Sequence, residues 1–202
     1  MRKDNLALIV GASSDVAKQL AVLLCKQGVN LILTKRREDG ELNLFANDLI
    51  IRYQTQIQVV ELEATAYYDH ESVLTPLLNK GVDTVYFFIG YLGNQFVAQS
   101  SWDECSRIIT HNYTGPVSIL NIVANYFERR KKGSIVAVSS VAGVRGRQSN
   151  YFYGSAKSAF SAYLSGLRSR LFKSNIHVMT VLPGYMKTKM TAHLPLPSVL
   201  TA

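Results

Sequence analysis

Six short runs of aliphatic and aromatic residues recur along the chain, each followed by a longer stretch with apolar residues three and four apart. No other feature of the sequence constrains the fold as much. The runs are Leu6 to Val10, Asn30 to Thr34, Gln58 to Leu62, Asp83 to Ile89, Ser134 to Ser139 and His177 to Leu182. A strand that is apolar at nearly every central position, rather than at every second one, is a strand covered on both faces. The stretches Asp15 to Gln27, Glu41 to Gln54, His70 to Asn79, Trp102 to Asn112, Gly115 to Lys131 and Tyr151 to Lys173 carry the helical period. Repeated strand and helix units of this kind predict an α/β fold, a doubly wound parallel sheet between two layers of helices. With 202 residues and no linker, repeat or low-complexity tract, a single domain over 1–202 is expected. The last segment, Tyr185 to Ala202, contains Pro195 and Pro197 without a clear period and reads as loop or short helix.

Composition removes several classes of function. At 48% hydrophobic and 18% charged residues the chain is far too apolar for a disordered segment. The formal net charge of +8 suits an anionic partner, whether nucleic acid, an acidic membrane surface or phosphate. The basic residues are scattered, with small clusters only at Lys35 to Arg37 and Arg129 to Lys132, and no recognition motif accompanies them, so no nucleic-acid partner is expected. Cys25 and Cys105 lie far apart without CxxC spacing, which fits a reducing cytoplasm and neither a disulfide framework nor a zinc site. His70, His111, His177 and His193 share no ligand spacing, and no metal is expected. The longest apolar stretch, Val82 to Leu92, is interrupted by Asp83 and Gly90 and falls short of the ~20 residues of a membrane span. Hydrolase chemistry lacks its GxSxG elbow. Trp102 is expected to pack its helix rather than to serve as a binding platform.

Two ends of the pattern carry chemistry. The first strand runs into Gly11-Ala12-Ser13-Ser14-Asp15-Val16-Ala17, where the helical period begins. Small residues there let the backbone approach a pyrophosphate, whose charge is favoured at the helix N-terminus. The turn is equally compatible with a purely structural role, and Asp15 is in position to cap the helix, worth about 1 kcal/mol. The second strand ends in Thr34-Lys35-Arg36-Arg37, near where a dinucleotide fold places an acid for the ribose hydroxyls of NAD, about 20 residues past the turn. Lys35 and Arg36 would pair with the 2′-phosphate of NADP(H) and offer no acceptor to the diol of NAD(H), so NADP(H) is preferred. A solvated charge run is the alternative reading.

Thirteen residues after Ser140 comes Tyr153, in Tyr153-Gly154-Ser155-Ala156-Lys157. Residues four apart on a helix share a face, so the Tyr153 hydroxyl and the Lys157 ammonium look into one cleft. A nearby cation stabilises a phenolate, which predicts a Tyr153 pKa drawn from near 10 toward neutrality for general acid or base work. Ser140, at the end of its strand, could hydrogen-bond the same reacting oxygen. Such pairs also arise by chance, and the surrounding Tyr151, Phe152, Phe160 and Tyr163 read equally well as core.

Taken in order, the small-residue turn, the basic end of strand two, the serine after strand five and the Tyr/Lys helix resemble the short-chain dehydrogenase/reductase family over essentially the whole chain. The resemblance implies a catalytic set of Asn112, Ser140, Tyr153 and Lys157, with Asn112 holding a water of the proton relay. It also implies cofactor contacts at Gly11, Ser13, Ser14, Asp15, Val16, Gly90, Pro183, Gly184 and Thr188, besides Lys35, Arg36, Tyr153 and Lys157. The family's strand order, 3-2-1-4-5-6, and a homodimer packed through the helices Gly115 to Lys131 and Tyr151 to Lys173 are implied too. Departures are visible. Asp15 and Ala17 stand where the family has glycines, Val10 replaces the usual threonine, and Phe87-Phe88-Ile89-Gly90 keeps only the glycine of an Asn-Asn-Ala-Gly motif. Nineteen residues follow Pro183, whereas family members usually continue through a further helix and a seventh strand, so that strand is expected to be missing, and a truncated chain is one reading of its absence. Gly11 to Ala17, Gly90 to Gly93 and Val141 to Tyr151 are similar to a bacterial subgroup related to the reductase of a decaprenyl-phosphate-linked keto-pentose. That likeness would make the substrate a phosphate-bearing keto-sugar with Arg145 and Arg147 beside it. The implied activity is hydride transfer between NADP(H) and a carbonyl or secondary alcohol. The alternative is a catalytically idle NADP-binding regulatory module.

Overall fold

The structure, a computed structural model, describes residues 5–192. Six strands, β1 (Leu6–Val10), β2 (Asn30–Lys35), β3 (Ile57–Glu61), β4 (Thr84–Phe87), β5 (Gly133–Val138) and β6 (Ile176–Val181), form one sheet in the order β3-β2-β1-β4-β5-β6. Every pairing in it is parallel. The helices are α1 (Asp15–Lys26), α2 (Glu41–Tyr53), α3 (His70–Leu78), α4 (Gln95–Ala98), α5 (Trp102–Ile109), α6 (Gly115–Arg130) and α7 (Tyr151–Phe172).

Alternate residues of the strands feed two separate cores. Leu8, Val10, Val85, Phe87, Ile135 and Val178 pack with α3, α6 and α7, whereas Ala7, Ile9, Leu31 and Leu33 pack with α1 and α2. Each fully buried Leu, Ile or Phe contributes roughly 1.5–3 kcal/mol relative to exposure, so the two layers account for most of the drive to fold. Coverage of both faces is fullest for β1 and β2, and Tyr86 of β4 and Val59 of β3 also pack against the second core. Among the described residues no helix lies over the second face of β5 and β6, where Met179 is 45% exposed and Val136 and Val138 are half-buried.

Most elements follow the apolar pattern within a residue or two, and the differences have local causes. The strand expected over Asp83 to Ile89 pairs only from Thr84 to Phe87, because the chain leaves the ladder to form the Gly90 turn. The helix expected over Trp102 to Asn112 stops at Ile109, and a single π-helical turn, Thr110–Thr114, joins it to α6. Trp102 does not pack its helix, being 73% exposed at the first position of α5. The helix α4 has no counterpart in the apolar period of the sequence. It is a single turn capped by Asn94, whose Oδ1 accepts from the amides of Phe96 and Val97 at 3.0 and 3.2 Å. Both cysteines are buried and unpaired, and His70 is buried between the Ser118 hydroxyl and the Glu63 carbonyl, each 2.8 Å away. No helix among the described residues is long and apolar enough to cross a membrane. Beyond Tyr185 the chain is irregular through Ala192, and the remainder of that segment, with His193, lies outside the described residues.

Candidate active site

The order β3-β2-β1-β4-β5-β6 reverses direction between β1 and β4, which opens a crevice at the carboxyl ends of these strands. Most of the predicted site residues are carried by the segments that leave the strands there, with Lys35 the last residue of β2 and Asn112 in the π-helical turn before α6.

On the β1 side, Gly11 adopts φ +79°, and a Cβ placed on it would lie 2.9 Å from the Ile89 backbone nitrogen. Only glycine fits both the conformation and the gap. The Gly11 amide donates to Thr34 Oγ1 at 3.1 Å and the Ala12 amide to the Thr34 carbonyl at 2.9 Å, so β2 fixes the turn. The amides of Asp15, Val16 and Ala17 belong to the first turn of α1 and have no helical acceptor, an arrangement suited to an anion. Ser14, not Asp15, is the N-cap residue, and neither side chain caps the helix. The Asp15 carboxylate is engaged elsewhere: its Oδ2 accepts from the Lys189 amide at 2.7 Å. At the end of β2, Lys35 is turned inward, its Nζ 3.7 Å from Glu61 and 3.4 Å from the Arg37 carbonyl. Arg36 is exposed and has no ion-pair partner among the described residues. An exposed guanidinium at the end of β2, together with a glycine-tight turn and an open helix N-terminus, could hold an anionic dinucleotide.

On the far side, β5 delivers two serines with different work. Ser139 is buried and tethers β5 to α7, its hydroxyl donating to the Lys157 carbonyl at 3.1 Å and lying 2.8 Å from Ser161 Oγ. Ser140 is half-buried; its Oγ accepts from the Ala142 amide at 3.1 Å and lies near enough to the Tyr153 hydroxyl to favour its ionised form. Close contact between the loop and α7 depends on small residues. A Cβ at Gly143 would lie 2.8 Å from the Ser158 nitrogen, and one at Gly154 2.7 Å from the Ala142 carbonyl oxygen.

Lys157 is buried beneath Tyr153, its Nζ 5.8 Å from the Tyr153 ring centre and 3.4 Å from the carbonyl oxygens of both Ile89 and Val138. Burial pulls its pKa down from 10.5 to about 8. The expectation that Lys157 draws Tyr153 toward neutrality is not met in the protein alone. Burial raises the Tyr153 pKa above its ordinary value, and the nearby Ser140 hydroxyl offsets only part of that rise. The hydroxyl therefore keeps its proton at neutral pH.

Asn112 sits in the π-helical turn, fully buried, with every polar side-chain atom occupied. Its Nδ2 donates to the carbonyls of Tyr91 and Ile108 at 2.6 and 2.8 Å, and its Oδ1 accepts from the Tyr91 amide at 3.2 Å. This clamps the Gly90 turn against Lys157: a Cβ on Gly90 would lie 3.3 Å from both Asn112 Oδ1 and Lys157 Nζ. Pro183, Gly184 and Thr188 follow β6 at the same edge, with the Pro183 carbonyl accepting from the Val141 amide at 3.1 Å.

One contributor escaped the sequence pattern. The buried Glu104 carboxylate accepts from the Tyr91 hydroxyl and the Asn94 amide at 2.9 and 2.7 Å, with Arg107 3.7 Å away, and so braces the loop after β4. On an amphipathic helix a glutamate reads as surface, and nothing local marks it as buried.

Comparison with known proteins agrees with this geometry. The model of the short chain dehydrogenase family matches residues 5–197. An uncharacterised oxidoreductase of Myxococcus xanthus is 30% identical over 199 residues, covering 96% of this chain and 78% of the relative. An L-xylulose reductase of Caenorhabditis elegans is 29% identical over 190 residues, covering 93% and 74%. The bulky-bulky ketone specific alcohol dehydrogenase of Comamonas testosteroni superposes with a TM-score of 0.85 at 27% identity, over 98% of this chain and 77% of that one. Six parallel strands in the order 3-2-1-4-5-6, the glycine turn after the first and a family match over nearly the whole length leave one assignment: the chain belongs to the short-chain dehydrogenase family.

Proposed function

We propose that the chain is an NADP-dependent oxidoreductase that interconverts a carbonyl and a secondary alcohol, with Tyr153 as proton donor. The observation that carries this reading is the convergence of Ser140, Tyr153 and Lys157 at one wall of the crevice, with the Lys157 ammonium 5.8 Å from the centre of the Tyr153 ring. When bound, the dinucleotide supplies the hydride. Tyr153, which burial keeps protonated at neutral pH, gives its proton to the carbonyl oxygen. Ser140 orients the same oxygen and steadies the phenolate left behind. Lys157, held under the ring by two backbone carbonyls, places positive charge where that phenolate develops. Asn112 fixes the Gly90 turn against Lys157. Selection of the 2′-phosphate falls to Arg36, with Lys35 behind it.

The substrate in this reading is a keto-sugar. Support comes from the L-xylulose reductase relative and from Arg145 and Arg147, exposed on the loop before α7 without ion-pair partners among the described residues. Those two guanidinium groups suit a phosphate-bearing sugar. A homodimer through α6 and α7 completes the proposal and would sediment at twice 22.5 kDa.

Titration with NADPH and with NADH, read by nicotinamide fluorescence and followed by turnover on a panel of keto-sugars and simple ketones, tests the reading. NADPH bound more tightly than NADH, with turnover, supports it. Binding without turnover on any carbonyl favours an idle regulatory module, and no binding of either cofactor overturns both.

A further inference from the structure

Asp15 replaces a small residue at the most phosphate-proximal position of α1, where a carboxylate works against an anionic ligand unless it is occupied elsewhere. It is occupied by the far end of the chain. The segment after β6 leaves the sheet at Pro183 and crosses to α1, where Asp15 Oδ2 accepts the Lys189 amide at 2.7 Å. Lys189 Nζ lies 3.4 Å from Glu41, which also faces Lys18 at 3.9 Å, so a second, charged contact flanks the first.

Between its two anchors the segment is internally tied. Thr191 Oγ1 donates to the Met186 carbonyl at 2.6 Å, the Thr191 amide donates to the Thr188 carbonyl at 3.0 Å, and the Tyr185 hydroxyl donates to the Thr191 carbonyl at 3.1 Å. The strand order decides what such a strap does. β6 lies at one edge of the sheet and α1 follows β1, so a strap from β6 to α1 passes over the ends of β5 and β4 and spans the crevice between β4 and β1. A dinucleotide in that crevice would lie beneath it.

We propose that Asp15 is a positioning residue that latches the strap Pro183–Thr191 to the start of α1 and thereby slows release of the cofactor. The inference rests on the functional reading above for the cofactor, while the latch itself is a property of the chain alone. A carboxylate that accepts a backbone amide gives a hydrogen bond of the charge-assisted kind, enough to change opening by about 10-fold or more.

Amide hydrogen exchange on the cofactor-free full chain tests the latch directly. In Asp15→Ala the peptide containing Lys189 should exchange about 10-fold faster or more, and Asp15→Asn, which keeps an oxygen acceptor, should restore most of the protection. Lys189→Pro removes the donor from the other side and should match Asp15→Ala, with circular dichroism checking that each variant is folded. Unchanged exchange in folded Asp15→Ala overturns the latch. Stopped-flow release of NADPH is the second arm, expected to quicken about 10-fold in Asp15→Ala with little change in the association rate. Faster exchange with unchanged release overturns the role in retention. Failure of the unaltered chain to bind NADPH refutes the functional reading and the retention role with it, and the exchange arm still decides whether Asp15 holds the strap.

Discussion

Replacing Lys157 by Met reports how the site is charged, because the ammonium is buried without a carboxylate partner among the described residues. Its Nζ hydrogen-bonds the carbonyl oxygens of Ile89 and Val138, each at 3.4 Å, and burial carries its pKa from 10.5 to about 8. At about 1.4 kcal/mol per pH unit, keeping that charge inside the fold costs about 3 kcal/mol at neutral pH. The direction with pH follows from proton counting. Between about 8 and 10.5 the unfolded chain holds a proton on this lysine that the folded chain has released, so stability rises with pH across that window. Below about 8 both states are protonated and the cost is present in full. Over the interval from about pH 7 to about pH 10 the relief amounts to roughly 2.5 kcal/mol. Methionine fills the same space without a titration. Urea unfolding of the two proteins across this range, compared as a difference, removes the tyrosines and other groups common to both. The unaltered protein should gain about 2.5 kcal/mol relative to Lys157→Met from the lower to the higher pH, and the variant should be the less pH-dependent of the two. A difference flat to within about 0.5 kcal/mol would refute the idea that the ammonium is held at a cost, and a slope of opposite sign would mean a favourable partner for the charge.

Four further outcomes follow from the same geometry. Tyr153→Phe should lower turnover by about 100-fold or more while NADPH affinity, measured by fluorescence titration, stays within about 2-fold. Arg36→Ala should weaken NADPH binding by about 10-fold or more and leave NADH binding unchanged, since only the 2′-phosphate is addressed. The two serines should separate: Ser139→Ala loses the bonds to the Lys157 carbonyl and Ser161 and should cost about 1 kcal/mol of stability by urea unfolding, whereas Ser140→Ala should mainly lose turnover. Gly11→Ala must place a Cβ 2.9 Å from the Ile89 nitrogen at φ +79°, and a loss of about 2 kcal/mol or more together with lost NADPH binding is expected.

The sequence is most informative where the relevant physics is local. Continuous apolar runs such as Leu6–Val10 locate buried parallel strands because no polar face interrupts them, and Tyr153 and Lys157 share a face because the helix repeats every 3.6 residues. Where a side chain's role depends on what packs above it, local pattern gives the wrong answer or none. Trp102 reads as a packing residue and is exposed, while Glu104, two positions on, reads as surface and is buried under Tyr91. The charge of Tyr153 and Lys157 shows the same limit. Spacing reveals that a cation lies near the phenol, but only the depth of burial determines that Tyr153 rises and Lys157 falls. Asp15 is the extreme case. Read with its neighbours it is a helix cap, yet its carboxylate meets an amide 174 residues further along the chain, at the end of a strap that only the strand order carries across the crevice. A substitution that looks like decay of a nucleotide turn thus becomes, with the fold in view, a contact between the two ends of the site.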